Sequence, residues 1–437
     1  MAMVVKNNMS AISTLNTLNK NSSALAKSLQ KVSSGMKINS AADDASGYAI
    51  SERMRVQIRG LDQANQNTQN GTSMMKVAEG AVSSTVDILK TLKEKVINAA
   101  NDTNTDADRQ TIQKELDQSI DQIDDNANVT YNGKYLVDGS KNTIGTATYT
   151  ALTNQSLSTA TASTSALTTL KSRSGDDLEI ASTDKVTVSY VQGGKTFTTV
   201  YEAKNTTISD ILTNANKAGG GTAFSTTITA DSTVGTATSG AMTYTASGAS
   251  AITFTANTAG VTSQISALTI SITDKDGNVK KSANASLDAF TETVRAQNKS
   301  EDNAITLQVG TKANQSIKVG LTDMRSEALG LKGSDGTKLN ISTQAKANAA
   351  VNVLDNAVQK ALDQQTTIGS VESRLSYTSS NLTTASENVQ SSESTIRDAD
   401  MAKEMTEYTK NNVLLQAAQS MLAQANQNSS SVLSLLQ

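Results

Sequence analysis

The chain has no cysteine, no histidine, no tryptophan and no proline, and aromatic residues make up only 3% of its 437 positions. Average usage would supply about 22 prolines over such a length. Without cysteine there is no disulfide framework, zinc ribbon or thiol nucleophile. Without histidine there is no Ser-His-Asp or Cys-His catalysis and no imidazole metal site. Carboxylates, lysine, tyrosine and hydroxyls remain, a thin kit for an enzyme. No apolar run approaches the ~18 residues of a membrane span. The start, MAMVVKNNMS, lacks a charged region followed by an apolar stretch, so no cleaved signal peptide is expected. By those signs alone the chain reads as cytosolic.

What is present points to assembly. Thirty-eight basic and 41 acidic residues give a net charge of −3, not the basic footprint of a nucleic-acid binder. The length allows roughly three domains of about 150 residues, and three zones differ in composition. Residues 1 to about 130 are rich in Ala, Leu, Gln, Asn, Lys and Asp, and that composition returns from about 340. Between about 141 and 300, serine and threonine dominate and glycines cluster, as in Gly219-Gly220-Gly221.

Both flanking zones carry narrow heptad seams. Ala11, Leu15, Leu18, Ser22, Leu25, Leu29, Val32 and Met36 step by four and three. After a break at Ile38–Ser46 a second seam runs from Ile50 through Met54, Leu61, Gly71, Met75, Val82, Leu89, Leu92 and Val96 to Ala99. It predicts a helix of about 50 residues, roughly 75 Å long. A third helix is expected over Ala107–Ala127. Near the other end Ile368, Val371, Leu375, Leu382, Val389 and Ile396 form a long seam, followed by Leu415, Ala418, Leu422, Ala425, Ser429, Val432 and Leu436. Such thin stripes do not stabilise a lone helix. Partners are needed, either within the chain or on neighbouring copies.

The middle alternates apolar residues with Thr or Ser, as strands do, at Val186–Tyr190, Thr196–Tyr201, Ile252–Thr255 and Leu268–Thr273. Asp274–Asn278 is expected to be a hairpin turn by its Asp-Gly; it lacks the downstream glutamate of a calcium loop. Ile305–Val309 and Ile317–Leu321 flank a second hairpin. The dense hydroxyls suit solvated strands, and they equally offer sites for O-linked sugars. Glu301-Asp302, a formal acid–base pair, reads as a solvated turn. The fold class is thus α+β: long antiparallel heptad helices from both termini with a Thr/Ser-rich β domain inserted between them.

The stretch Ser33–Ser51 (SSGMKINSAADDASGYAIS) closely resembles the signature of bacterial flagellins between their first and second helices. Tyr131-Asn-Gly-Lys134 is similar to that family's turn after the third helix. Ser392–Met401 (SESTIRDADM) and Leu415–Gln419 with Val432–Leu436 resemble its C-terminal motifs. The matches cover about 1–140 and 303–437. One departure is that the Leu307–Leu321 hairpin follows the insertion, whereas in the best-known enteric flagellins it precedes it.

The resemblance implies a structural subunit of the flagellar filament, not an enzyme, with no cofactor or metal. Some flagellins carry a metalloprotease in the inserted region, but its His-Glu-x-x-His cannot exist here. Residues 1–44 with 401–437 are expected to form an inner coiled coil lining the filament channel, assembling through Leu15, Leu18, Leu25, Leu29, Val32, Leu415, Ala418, Leu422, Ala425, Val432 and Leu436. Residues 45–140 with 303–400 are expected to form an outer tube, through Met54, Leu61, Met75, Val82, Leu89, Leu92, Val371, Leu375, Leu382, Val389 and Ile396. Residues 141–302 are expected to form a surface-exposed variable β-rich insertion. The ends are expected to order only when several helices share the contact. Implied partners are further copies of the chain, an export chaperone at 401–437, cap and junction proteins, and an innate Toll-like receptor; no nucleic acid or membrane insertion is expected. For the receptor, the resemblance implies contacts on the second and third helices, near Leu89–Asn101 and at Glu115, and Glu115 is retained. Thr91 stands where recognised flagellins usually have Arg, and Lys95 where they have Leu, which implies weakened signalling. Export unfolded through a type III channel to the cell exterior fits a chain free of proline and cysteine, because X–Pro isomerisation takes tens of seconds. A hook–filament junction protein sharing the same terminal helices is the alternative, and a secreted coiled-coil adhesin would account for the heptads but not for both terminal motifs.

Overall fold

The computed structural model describes residues 8–435, except 222, 226 and 227. Three helices open the chain: α1 (Met9–Ser34), α2 (Ala45–Ala99) and α3 (Asp106–Ala127). A short hairpin follows, β1 (Thr130–Tyr131) and β2 (Lys134–Tyr135). The insertion holds β3 (Ala151–Asn154), β4 (Lys185–Gln192), β5 (Lys195–Glu202), α4 (Ile208–Ala218), β6 (Thr229–Asp231), β7 (Thr233–Thr236) and β8 (Met242–Tyr244). It continues with β9 (Ala251–Thr255), β10 (Ile265–Thr273), α5 (Lys281–Leu287) and β11 (Phe290–Val294). The hairpin β12 (Ile305–Gln308) and β13 (Ser316–Val319) leads to α6 (Gln344–Arg397) and α7 (Met401–Leu435). The expected fold class is the observed one.

The chain divides into two compact units that cut across the three-part division expected from composition: 1–68, 308–315 and 377–437 form one, and 69–307 with 316–376 the other. In the first unit α1 runs antiparallel to α7, since Asn21 Nδ2 donates to the Leu414 carbonyl and Asn411 Nδ2 to Ser28 Oγ. Leu61, Ala64 and Leu382 form a small core there, flanked by Ala385 and Val389.

The second unit buries one face of each of its helices: Met75, Val82, Leu89, Leu92 and Val96 on α2, Leu116, Ile120 and Ile123 on α3, and Val353, Leu354 and Ala357 on α6. A capping box starts α3, with Thr105 and Asp108 bonding each other's backbone N–H. Within the insertion two antiparallel sheets, ordered β10-β4-β5 and β11-β3-β9-β6, contribute to one hydrophobic core. Gly193 and Gly194, at φ 55° and 75°, make the two-residue β4–β5 turn. The four phenylalanines join Tyr190 in one continuous ladder of rings: Phe197 stacks on Tyr190, which meets Phe224 edge-on, then Phe254, then Phe290, with centroids 5.0–6.5 Å apart.

All four strands expected in the middle are present. Helices α4 and α5 were not foreseen. The Asp274–Asn278 turn closes as expected, through Asp274 N to the Asn278 carbonyl and Gly277 at φ 88°. It does not join two strands, however. A single bridge, Thr273 to Val279, follows it before the chain enters α5, so this expectation is corrected. Glu301 and Asp302 lie exposed, and Asp302 pairs with Lys318 at 2.6 Å.

Asp288, just after α5, gives a pH-dependent handle. Burial pushes its carboxyl up to about 6, although Ile270 N and Asn352 Nδ2 donate to it. A folded-state pKa above the unfolded one near 3.9 adds stability below about pH 4, and this is lost as pH rises through 6. Asp288→Asn should therefore flatten the stability profile between pH 4 and 6. It should gain up to about 2 kcal/mol at pH 7, discounted for partial exposure. Urea unfolding at pH 4 and pH 7 measures the difference; parallel profiles for both proteins would contradict it.

Candidate assembly surfaces

A joint in the first unit holds the two helix breaks together. Gly35 ends α1 in the left-handed conformation (φ 71°), its N–H closing on the Lys31 carbonyl. Asp43 then accepts from the N–H groups of Ser40 and Asn39, which hold its carboxyl below the ordinary range. Asp44 accepts from Ser46 and Gly47 at the start of α2. A Cβ at position 47 would fall 2.5 Å from the Asp44 carboxylate and 2.7 Å from Ile38 Cδ1, so any other residue displaces the capping carboxylate or the Ile38 methyl.

Opposite this loop, Arg397 is buried at the end of α6. Its Nη1 donates to Glu52 at 2.6 Å, which holds the Glu52 carboxyl low, and its guanidinium lies 5.5 Å over the Tyr48 ring. Lys37 N donates to the Arg397 carbonyl and Ala399 N to the Gly35 carbonyl. The sequence motifs at 33–51 and 392–401 thus form a single lock, a contact that no spacing rule along the chain reveals.

The α1–α7 pair is thinly packed. Among described side chains only Ser28 is buried on α1 and only Ala418 on α7. Leu18, Leu25 and Val32 are half-buried, as are Leu415, Leu422 and Ala425. Leu15 and Leu29 are not in this stripe, which corrects the expected seam: between the half-buried leucines run Thr14, Asn21 and Ser28, one position earlier. The reason is polar, since Asn21 and Ser28 each find a hydrogen bond on α7. Leu29 is left 51% exposed, beside Ile12 and Leu15. On α7, Val413 is 59% and Met421 63% exposed, and Met401, Met405 and Leu414 are also outward. Val432 lies within α7, and Leu436 lies outside the described residues.

Helix α7 therefore presents apolar side chains to α1 and away from it. Apolar side chains on more than one side of a helix leave contact surface that a single partner helix does not cover. Counting a single heptad seam missed Met401, Met405, Val413, Leu414 and Met421, although all five were visible as apolar residues off that seam.

For the longer helices, Leu61, Met75, Val82, Leu89, Leu92, Leu375 and Leu382 are buried within the chain, while Met54, Val371, Val389 and Ile396 are half-buried. Gly71 leaves room for Leu307, whose Cδ1 would lie 2.6 Å from a Cβ there. Leu89 is 0% exposed, so its side chain is core and not a surface for a receptor, which corrects that expectation. Thr91 is exposed, and Lys95 pairs with Glu115 at 3.1 Å across α2 and α3. No group of three or more acidic side chains among the described residues is placed to hold a metal ion, and no described helix is long and apolar enough to cross a membrane.

The bacterial flagellin N-terminal helical region matches residues 5–142, and the bacterial flagellin C-terminal helical region matches 351–436. The chain is 34% identical to a flagellin of Clostridium tyrobutyricum, over 97% of this chain and 99% of that protein. It is 30% identical to a flagellin of Bacillus subtilis (strain 168), over 99% of this chain and all of the other. With a flagellar filament 33 kDa core protein of Treponema phagedenis the identity is 28%, over 99% of this chain and 100% of that one.

Proposed function

This chain belongs to the bacterial flagellin family, and on that footing we propose that it polymerises into the flagellar filament through the outward apolar faces of α1 and α7. One observation carries the assembly route: among the described side chains the two terminal helices bury one each and leave Leu15, Leu29, Val413 and Met421 exposed. Ordering a residue costs roughly 1–2 kcal/mol. Burying a leucine or valine returns about 1.5–3 kcal/mol. A pair of helices with so little buried is marginal alone, and neighbouring copies add the missing contacts. Head-to-tail contacts that do not close give a helical fibre.

The layered arrangement belongs to the same proposal: 1–44 with 401–437 innermost, 45–140 with 303–400 around them and 141–302 outermost. So do export of the unfolded chain to the cell exterior, a chaperone covering α7 before export, and cap and junction proteins as neighbours in the filament. Receptor recognition, if engaged, rests on the exposed Thr91, Lys95 and Glu115 and not on Leu89. Weakened signalling is the expectation.

Purified full-length protein at high concentration should grow filaments many subunits long, seen by negative-stain electron microscopy. A junction protein, present in few copies, would stay monomeric or form short oligomers under the same conditions. Absence of filaments even with added seeds would overturn self-polymerisation.

A further inference from the structure

Strand β5 reads Lys195-Thr-Phe-Thr-Thr-Val-Tyr-Glu202, β-branched and aromatic throughout its uncharged middle. It lies at the end of its sheet, paired with β4 alone. The two-residue turn makes Gln192 and Lys195 the first hydrogen-bonded pair, so Lys195, Phe197, Thr199 and Tyr201 bond to β4. Thr196, Thr198, Val200 and Glu202 therefore turn their N–H and carbonyl groups to the outer edge. Among the described residues none of these backbone groups meets a partner. The edge is open to solvent, with Val200 59% exposed and Thr198 and Glu202 exposed beside it.

The far edge of the same sheet is closed. There Ile270 N donates to Asp288 at 3.3 Å and Ile272 N to Asn284 Oδ1 at 2.6 Å, while Lys280 N donates to the Ile272 carbonyl. Helix α5 and the residues flanking it thus cap β10, and nothing equivalent among the described residues caps β5. Folded proteins ordinarily blunt a bare edge by keeping it short, or by a bulge, a proline or a central charge. β5 uses none of these. It is eight residues long, in unbroken register with β4, and charged only at its two ends, where Lys195 meets Asp335 at 2.5 Å.

Such an edge takes an extended backbone, and a second β5 fits it by its own sequence. In an antiparallel register centred on Thr199, Thr196 lies opposite Glu202 and Thr198 opposite Val200, so all four outward residues of both strands are paired. No like charges meet in that register. An in-register parallel copy would set Glu202 beside Glu202. We propose that two copies of this chain join edge to edge through β5, making one continuous sheet across a twofold axis. Successive subunits of a head-to-tail fibre all point the same way and cannot be related by such an axis. The contact therefore joins two free chains, or two neighbouring fibres side by side. It uses neither α1 nor α7 and stands apart from the route of filament growth.

Sedimentation velocity on the soluble full-length chain should show a reversible monomer–dimer equilibrium, with a Kd of about 10–100 µM. Val200→Lys, which sets a charge in the middle of the edge at an exposed position, should raise that Kd about tenfold or more. Because the chain lacks cysteine, single introduced thiols report the register. Thr198→Cys and Val200→Cys, mixed and mildly oxidised, should form the mixed disulfide faster than either variant links to itself. Mass spectrometry of the linked peptides identifies the pair, and this arm decides the matter should Val200→Lys misfold. A chain that stays monomeric up to about 1 mM, a dimer unmoved by Val200→Lys, or thiols with no preference for the mixed link would overturn the proposal.

Discussion

Leu29→Asp should abolish filament growth while leaving the monomer's helix content and unfolding midpoint nearly unchanged. In the single chain Leu29 is half in water, off the stripe that meets α7, so little is lost on replacing it. In the polymer the same position would be covered. The substitution then forfeits about 1.5–3 kcal/mol of burial and adds several kcal/mol for desolvating a carboxylate. Each subunit added pays this again. A penalty of about 4 kcal/mol per subunit raises the critical concentration roughly a thousandfold. Val413→Asp, on the outward side of α7, should behave alike. Sedimentation with electron microscopy reads assembly, and circular dichroism reads the monomer. Wild-type polymerisation by both variants would show that these faces are not the assembly surface.

Leu89→Ala is the opposite case, a large loss of stability with no surface change. Its side chain is completely buried in the second unit, and removing a buried leucine's outer carbons costs about 2–5 kcal/mol. Thr91→Ala and Glu115→Ala, at exposed positions, should each change stability by less than about 0.5 kcal/mol. Urea unfolding of the three variants separates core from surface. If Leu89→Ala unfolded like the wild type, the placement of this leucine would be wrong. Any altered receptor signalling by that variant would otherwise reflect unfolding, not a lost contact.

The long helices were legible because their signals are local and repeated. The heptad positions along α2, the break at Ile38–Ser46 and the Asn132-Gly133 turn each follow from a few adjacent residues. Strands β4, β5, β9 and β10 showed as alternation for the same reason. Helix α4 was hidden in the Thr/Ser background, although its capping box at Thr207 and Asp210 and its buried Ile208, Ile211, Leu212 and Ala215 carry a helical period. β3 has all four residues buried and so shows no alternation. Which edge of the α1 stripe turns inward is a tertiary matter, decided by the polar partners α7 offers to Asn21 and Ser28. The lock at Arg397 joins residues far apart in sequence, where no period or spacing applies.

The ring ladder through Tyr190 and the four phenylalanines gives the protein a built-in optical division. With no phenylalanine elsewhere and no tryptophan to mask them, the sharp near-ultraviolet bands of that residue report on the insertion alone. The far-ultraviolet amide signal, by contrast, is dominated by the long helices. One heated sample therefore yields two melting curves, one for the insertion and one for the helices that flank it.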